Sequence, residues 1–374
     1  MNTSWSLDNL YLLSPTQLVT RILSRLRSSR IEAQTVAEIM AAYGLEAQGR
    51  PENLANSRRN RSVVVRTPGG KKVLKLYRAD WAAETIAFEH SVLGELQTLG
   101  LPGPRLLRTA DGATSVNYDG SYYSIFEFID GISYCGVILP RPRHLKLMST
   151  AGRLLARMHR QLLHFEPSGR HHHGFAARDA DRARSLAWEL RRLDDLRKQS
   201  YPLAHRAAKW MVATAPALMM ALRRSADALE EASLPRTIIH GDYGLHNLLF
   251  KNDENAIPVD FELARLEWRL SDLVSCLSRF RIRTGAYDLD RMGTFLEAYG
   301  AEFPIPDEEW RWFPEVWSYY KLTNAVQYWS AYFVANGLVK KLALAREAVE
   351  QADWLKANPN VLNYLRRRMR GGHQ

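Results

Sequence analysis

The chain has 374 residues, 46% of them hydrophobic and 24% charged, which suits a two-lobed enzyme or two average domains with an ample apolar core. Its two cysteines, Cys135 and Cys276, are too few for a disulfide framework, and this predicts a reducing, cytoplasmic location. Neither a secretory signal nor a transmembrane segment is predicted, because the first residues include Asp8 and no later stretch is apolar enough to cross a bilayer.

The formal net charge of +11 at pH 7 would suit nucleic acid, an anionic membrane or an acidic substrate as a partner. The basic residues are mostly arginines, however, and they are scattered along the chain with Asp and Glu between them, as over residues 178–198. The strongest local exceptions are residues 21–30 and 366–370. We therefore expect a solvated, arginine-rich surface and no nucleic-acid partner.

Residues 1–48 are predicted to form a helical extension. Ser14, Pro15 and Gln17 supply the N-cap, the first-turn proline and the capping box of a first helix. The apolar stripe of this helix either packs on its own domain or binds a membrane surface or a partner. A second helix is predicted over residues 33–43, and it ends at Gly44, which can adopt the left-handed cap conformation.

A β-hairpin is predicted around the turn Pro68-Gly69-Gly70, with strands over residues 62–66 and 72–77. Lys75 lies in the second strand between apolar neighbours, where an ammonium group needs an anion as partner. The alternative is a lysine on the exposed face of an edge strand.

The next predicted helix, over residues 82–99, offers that anion. Ile86, Leu93 and Leu96 mark its buried face, and Glu89 falls on the same face. Because a carboxylate in this position also needs a partner, Glu89 is predicted to pair with Lys75. Glu95 is the less suitable alternative, since it lies off the apolar stripe.

A strand with alternating apolar residues is predicted from Tyr122 to the turn at Gly131. We place the boundary there between an N-terminal lobe, 49–131, and a C-terminal lobe, 132–374. Amphipathic helices are predicted in the second lobe over residues 145–163, 178–196 and 210–231. The large aromatic residues of the last hundred positions have the helical spacing that most often means core packing.

A polar loop between two apolar, strand-like segments carries Asp242 and Asn247. A hairpin turn across residues 251–256 would bring Asp260 beside Asn247. In phosphoryl transfer from Mg-ATP, one carboxylate must face the acceptor hydroxyl and hard oxygen ligands must hold the magnesium. Asp242 suits the first task, whereas Asn247 and Asp260 suit the second, because one neutral and one anionic ligand avoid excess negative charge beside the phosphates.

The motif His240-Gly241-Asp242 with Asn247 five residues later, followed by Asp260-Phe261, resembles the aminoglycoside phosphotransferase and choline kinase superfamily. Within it the sequence is most similar to the spore-coat-associated and homoserine-kinase-like small-molecule kinases, over about residues 36–279. The resemblance implies an α+β, protein-kinase-like bilobal fold, with a small β-sheet lobe that carries one key helix and a mostly helical second lobe. It also implies ATP-dependent phosphorylation of a hydroxyl group on a small molecule.

The same resemblance assigns roles to residues. Asp242 would act as the base, and Asn247 and Asp260 would bind Mg²⁺. Lys75 would bind the phosphates of ATP, oriented by Glu89.

Two further ATP contacts follow from the resemblance. Phe128 and Ile129 would lie at the hinge between the lobes and contact adenine, although aromatic residues of this strand are equally consistent with core. The loop 55–60 stands where the family has its phosphate-covering hairpin, but it lacks the glycine-rich pattern. A phosphate contact there would come from backbone amides, Ser57 or the arginines.

Supporting and acceptor residues complete the predicted site within and beyond the catalytic loop 239–262. His240 is expected to be a buried, hydrogen-bonded residue at the loop base, and Asp272 to hold the loop by accepting hydrogen bonds. Tyr320, Asn324 and Tyr328 are candidates for contact with the acceptor, with core packing as the alternative.

The sequence leaves the acceptor and the oligomeric state open. A catalytically silent kinase-like scaffold and a protein kinase are the alternative functions. Glu262 stands where protein kinases usually keep glycine, and this departure disfavours switching by an activation loop.

Overall fold

The protein is described by a computed structural model that covers residues 31–54, 61–78, 81–171, 194, 206–282, 286–334 and 339–371. The sequence predictions that lie outside these residues are the basic stretch 21–30, the loop 55–60 with Ser57, the helix that begins at Ser14, and the helix over 178–196 apart from residue 194. Contacts divide the chain into two compact units. The first comprises the described residues up to Gly131 with Pro167–His171, and the second comprises Ile132–Glu166 and the described residues beyond His172.

The first unit contains a five-stranded antiparallel sheet in the order β1-β2-β3-β5-β4. Its strands are β1 (Gln48–Asn53), β2 (Arg61–Thr67), β3 (Gly70–Leu76), β4 (Val116–Tyr118) and β5 (Ser121–Glu127). The predicted hairpin is confirmed, because Thr67 pairs with Gly70 across the turn. Because β3 is the central strand, Lys75 lies between Ser62 and Ser124, so the edge-strand alternative is wrong.

Two helices accompany this sheet within the described part of the first unit, and both were predicted. Helix α1 (Ala33–Ala42) contributes Val36, Ile39 and Met40 to the core formed with β2, β3 and β5. It is followed by Gly44, whose φ of 66° confirms the left-handed cap. Helix α2 (Ala83–Thr98) buries the predicted stripe, Glu89 included.

The second unit is mostly helical. The four strands among its described residues form two antiparallel pairs: β6 (Arg236–Ile239) with β9 (Arg265–Trp268), and β7 (Leu248–Asn252) with β8 (Asn255–Pro258). The helices of its described residues are α3 (Arg141–Gln161), α4 (Arg206–Glu231), α5 (Arg269–Leu277), α6 (Leu289–Glu302), α7 (Asp307–Trp310), α8 (Phe313–Val334), α9 (Val339–Glu350), α10 (Trp354–Ala357) and α11 (Pro359–Met369). The small antiparallel sheet and the helical remainder confirm the predicted fold class.

Several boundaries differ from the predicted ones. Helices α3 and α4 each begin four residues earlier than predicted, at Arg141 and Arg206. In α3 a proline occupies the first turn, where its missing amide leaves no hydrogen bond unmade. Strand β5 ends at Glu127, so the predicted strand residues Phe128 and Ile129 lie in the segment that follows it.

Helix α3, which contacts the polar loop, packs closely on α6. A side chain at Gly152 of α3 would meet the main-chain oxygen of Phe295 at 2.2 Å, so only glycine allows this approach. One residue earlier, the carbonyl of Ala151 accepts a hydrogen bond of 2.8 Å from the hydroxyl of Tyr243 in the loop.

The predicted aromatic core is confirmed for Trp310, Phe313, Trp317 and Trp329, which are all buried. Trp329 belongs to a cluster that α8 shares with α4 and α9. No helix in the described part of the chain combines the length and apolarity that a membrane span requires.

Candidate active site

The polar loop that follows β6 depends on a left-handed turn at Gly241. This residue has a φ of 82°, and a Cβ atom there would lie 2.2 Å from the main-chain oxygen of Leu263. Glycine therefore meets two requirements at once, one of backbone conformation and one of space. The short 3₁₀ helix Leu245–Asn247 then returns the chain to the start of β7.

Asp272 of α5 holds this loop. Its Oδ2 accepts a 2.7 Å hydrogen bond from the amide of His240, and its Oδ1 accepts a 2.8 Å bond from the amide of Gly241. Nε2 of His159 lies 3.2 Å from Oδ2 of Asp272, and Nδ1 of His159 lies 2.9 Å from the hydroxyl of Tyr299. The carboxylate therefore links α3, α5 and the loop.

Asp272 has no solvent-exposed surface. Burial raises the pKa of its carboxyl group, but the hydrogen bonds from the ring of His159 and from the amide of His240 outweigh burial and lower that pKa overall. Burial lowers the pKa of His159 despite the nearby carboxylate. Asp272 is thus an ionised, fully buried support of the loop.

His240 lies at the base of the loop with 1% of its surface exposed. Its Nε2 is 3.0 Å from the carbonyl oxygen of Val259, and its Nδ1 is 3.3 Å from the amide nitrogen of Asp242. A neutral ring with the proton on Nε2 satisfies both contacts, since it donates to the carbonyl and accepts from the amide. The ring also packs against Phe261, with 4.6 Å between centroids.

Asp242 lies in the middle of a polar cluster within the second unit. Its Oδ1 accepts a hydrogen bond from Arg279, and its Oδ2 lies 3.3 Å from Nε2 of His246 and 3.3 Å from Nδ2 of Asn247. Burial raises the pKa of Asp242, but the hydrogen bond from His246 and the positive charge of Arg279 outweigh it and hold that pKa well below its usual range. The group is ionised at neutral pH.

The hairpin of β7 and β8 connects Asn247 with Asp260. Leu248 pairs with Pro258, and the amide of Val259 donates a 2.9 Å hydrogen bond to the carbonyl of Asn247. The hairpin confirms the predicted turn, and it brings the main chain just before Asp260 onto that of Asn247. Asp260 adopts a left-handed conformation with a φ of 68°, which is uncommon for a residue other than glycine.

The arrangement of Asn247 and Asp260 suits Mg²⁺. The described residues contain no group of three or more His, Cys, Asp or Glu side chains that could hold a metal ion. Mg²⁺ usually takes only one or two protein carboxylates and completes its shell with water and phosphate oxygens. One amide oxygen and one carboxylate at the end of a hairpin therefore fit an ion that arrives with a nucleotide.

In the first unit, Lys75 and Glu89 form a buried ion pair. The Nζ–Oε1 distance is 2.7 Å, and the residues are 8% and 4% exposed. The ammonium also lies 4.7 Å from the ring centroid of Tyr77. Oε2 of Glu89 is buried and has no hydrogen-bond partner within the described residues.

Phe128 and Ile129, the predicted adenine contacts, are half-buried and directly follow β5. Nζ of Lys71 lies 5.1 Å from the ring centroid of Phe128. Before them, Glu127 accepts hydrogen bonds of 2.7 and 2.9 Å from Nζ of Lys72.

The predicted acceptor residues Tyr320, Asn324 and Tyr328 lie at four-residue intervals along α8, on one face of the helix. All three are half-buried. The hydroxyl of Tyr320 donates a 3.0 Å hydrogen bond to Oγ of Ser275. Burial is the main cause of the raised pKa of Tyr328, followed by the interaction with Tyr320, and the charges of Arg279 and Asp242 also act on it.

Arg279 is the site residue that sequence reasoning missed. It lies in the turn that directly follows α5, where it resembles the many other arginines of the chain. Besides Asp242, it contacts Nε2 of His246 at 3.2 Å and donates a 3.2 Å hydrogen bond to the carbonyl of Ser275. Only the folded geometry distinguishes it.

Residues 52–312 match the model of the phosphotransferase enzyme family, so the chain belongs to that family. It is a small-molecule kinase that phosphorylates a hydroxyl group, as the sequence motif predicted. It is 24% identical to a homoserine kinase of Nitrobacter winogradskyi over 284 residues, which cover 75% of this chain and 78% of that one.

Solved structures share the fold. The microcompartment-associated aminopropanol kinase superposes with a TM-score of 0.62 and 18% identity over 88% of this chain and 99% of that one. Amicoumacin kinase in complex with AMP-PNP, Ca²⁺ and Ami superposes with a TM-score of 0.61 and 14% identity, over 88% and 95% of the two chains.

Proposed function

We propose that the chain transfers the γ-phosphoryl group of ATP to the hydroxyl group of a small molecule, with Mg²⁺ as cofactor. The observation that carries this proposal is the ionised Asp242, held with Asn247 on a loop that Asp272 anchors. A carboxylate fixed in this way can receive and orient an acceptor hydroxyl, which is the main task of the protein in phosphoryl transfer.

Asp242 retains the capacity for that contact. A carboxylate offers about four acceptor positions. Within the described residues, Arg279 uses one on Oδ1, and His246 and Asn247 lie near Oδ2. A hydroxyl group can therefore bind at Oδ1 without displacing the other groups.

The bond changes follow from this placement. The acceptor oxygen forms a bond to the γ-phosphorus, the bond from that phosphorus to the bridging oxygen of ATP breaks, and ADP leaves. The hydroxyl proton passes toward Asp242. Because the pKa of Asp242 is low, its main contribution is to orient the hydroxyl, and the proton continues to solvent.

Mg²⁺ would be held by Asn247 and Asp260 and would neutralise charge on the phosphate oxygens. Lys75 would bind the phosphates, and its ion pair with Glu89 fixes the position of the ammonium. Phe128 and Ile129 would contact adenine, and Ser57 would contact phosphate. The complex of amicoumacin kinase with AMP-PNP and Ca²⁺ supports a nucleotide and a divalent cation as ligands.

L-Homoserine is the first acceptor to test, because the relative from Nitrobacter winogradskyi is a homoserine kinase. The experiment has two parts: thermal melting with ATP, with and without Mg²⁺, and phosphate transfer to L-homoserine. A ligand that binds only the folded state raises its stability, so Mg²⁺-dependent stabilisation that Asp260→Ala abolishes supports the proposed site. No stabilisation at saturating ATP would contradict it.

A further inference from the structure

Lys321 of α8 is a buried lysine without an acidic partner. It is 6% exposed, and its Nζ lies 5.1 Å from the ring centroid of Trp317 and 5.4 Å from that of Tyr287. Across the described ranges, Lys321 has no hydrogen bond and no ion pair. Two aromatic faces attract a cation only weakly compared with the loss of its hydration.

The surroundings of Lys321 are positively charged. Burial, followed by the charges of Arg281 and Arg279, lowers the pKa of Lys321 to about 7. Arg281 forms an ion pair with Glu347 of α9, and Arg279 forms one with Asp242. Glu347 and Asp242 each already have an arginine as partner, and in the described surroundings no ion pair balances the charge of Lys321.

The basic cluster is defined as Lys321, Arg279 and Arg281, and its Arg279 contacts the proposed catalytic carboxylate. Lys321, Asn324 and Tyr328 are spaced by three and four residues, so they share one face of α8. Tyr328 on that face interacts electrostatically with Arg279, Arg281 and Asp242. An anion bound by the cluster would therefore be a neighbour of Asp242 within the second unit.

We propose that the basic cluster binds an anionic group of the acceptor, a carboxylate or a phosphate, while the acceptor hydroxyl is held at Asp242. The inference rests on the proposed function and specifies its substrate class as small hydroxy compounds that carry a negative charge. An anion would give the buried ammonium the partner that the described residues do not provide. It would also bind the guanidinium groups of Arg279 and Arg281, whose side chains are 39% and 32% exposed.

The test compares acceptors that differ in one group. L-Homoserine is 3-aminopropanol with an added carboxylate, and 4-hydroxybutyrate keeps the carboxylate but lacks the amine. Glycerol 3-phosphate carries a phosphate instead, and kanamycin is a polycation with many hydroxyl groups. Phosphate transfer to each compound and the shift in melting temperature that each causes are measured for the wild type, Lys321→Met, Lys321→Arg and Lys356→Met.

The variants separate binding from folding. Methionine matches the length of lysine and removes a buried charge, so Lys321→Met should not lower the melting temperature of the free protein. Lys356 is an exposed lysine of the same unit, paired with Glu315, and its replacement controls for the loss of one positive charge.

The expected result is that an anionic acceptor stabilises the wild type and is phosphorylated with a higher kcat/KM than 3-aminopropanol or kanamycin. Lys321→Met should raise KM for that acceptor roughly 10- to 100-fold, the usual range for a hydrogen bond to a charged group. Lys321→Arg should restore part of the affinity, and Lys356→Met should change nothing. The responses to L-homoserine, 4-hydroxybutyrate and glycerol 3-phosphate distinguish a carboxylate from a phosphate.

Two outcomes would overturn the inference. One is a wild type that prefers 3-aminopropanol or kanamycin, which leaves the proposed kinase function intact. The other is the lack of any anion-specific stabilisation that depends on Lys321, whether or not turnover is seen. The proposed function fails separately, when Mg-ATP itself neither stabilises the protein nor donates phosphate.

Discussion

Arg279 forms an ion pair with Asp242, although the two residues are 37 positions apart in the chain. This pair joins the segment after α5 to the loop after β6, and it contributes to the low pKa of the proposed catalytic carboxylate. An arginine paired with a carboxylate lowers the basicity of the carboxylate but fixes the orientation of the carboxylate. The two effects can be measured separately.

Asp242→Asn should lower kcat by about 10²–10⁴-fold, the usual contribution of a positioned acid or base. Asparagine has nearly the same shape but no charge, so the loop should keep its fold and Mg-ATP should still bind. Steady-state kinetics and thermal melting with ATP test the two parts. A kcat within tenfold of the wild type would show that the carboxylate is not needed for transfer.

Arg279→Gln should change the pH dependence of turnover. Because the arginine helps to lower the pKa of Asp242, its removal should raise that pKa toward the ordinary value for aspartate, about 3.9. Activity that needs the ionised carboxylate is lost as the pH falls through the pKa, so the acid limb of kcat should move to higher pH. Saturating acceptor removes any effect on KM. An unchanged acid limb would mean that another group controls it.

Asp272→Asn should destabilise the second unit by about 3 kcal/mol, because it weakens a fully buried, charge-assisted network of hydrogen bonds. Denaturant unfolding measures the loss. Asp290→Asn is the control, since the side chain of Asp290 is half exposed and forms a surface pair with Arg141.

The ionised Asp272 should also make the stability of the wild type depend on pH. The pKa of Asp272 in the folded protein is lower than its ordinary value, so its contribution is present above the unfolded pKa, about 3.9, and is lost as the pH falls through the folded pKa. The wild type should therefore lose more stability than Asp272→Asn over this acidic range. An equal loss of unfolding free energy in the two proteins as the pH falls would contradict this assignment.

Gly241→Ala should impair both stability and activity, whereas Gly44→Ala should affect stability alone. Both glycines have a positive φ, which costs an alanine about 1 kcal/mol. Gly44 has open space around it, but a Cβ at Gly241 would clash with Leu263 and force the loop to move. A comparison of the turnover of the two purified variants separates the effect of the clash, present only in Gly241→Ala, from the effect of the backbone strain, present in both. Equal activity would show that the loop tolerates the shift.

Glu89→Leu should destabilise the first unit more than the double variant Lys75→Met, Glu89→Leu. Removal of the acid leaves a buried ammonium with less compensation, whereas removal of both charges leaves an apolar pair of similar volume. Thermal melting of the two single variants and the double variant measures the coupling. Additive effects would mean that the pair contributes no coupling energy to folding.

Sequence reasoning predicted those parts of the molecule that depend on local pattern. The hairpin around Gly70, the cap at Gly44 and the buried face of α2 follow from residue conformational preferences and helical spacing. The pairing of Lys75 with Glu89 was predicted for a related reason, since two charges on apolar faces each require a partner.

The contacts of Arg279 and the burial of Lys321 could not be predicted in that way. Arg279 follows a helix end, and Lys321 lies among aromatic residues whose spacing indicated core. Their significance depends on which residues approach them from distant parts of the chain. Without the folded geometry, one arginine in a basic chain is indistinguishable from the rest.

The anchoring of the loop by Asp272 has a consequence for the order of events during synthesis on the ribosome. The bond from Tyr243 to Ala151 spans 92 positions, and the contact between His159 and Asp272 spans 113. A nascent chain that has emerged only as far as the hairpin contains Asp242, Asn247 and Asp260 but not the residue that holds their loop. The loop of the proposed catalytic residues therefore gains its anchor only when Asp272 of α5, about a dozen residues after Asp260, has also emerged.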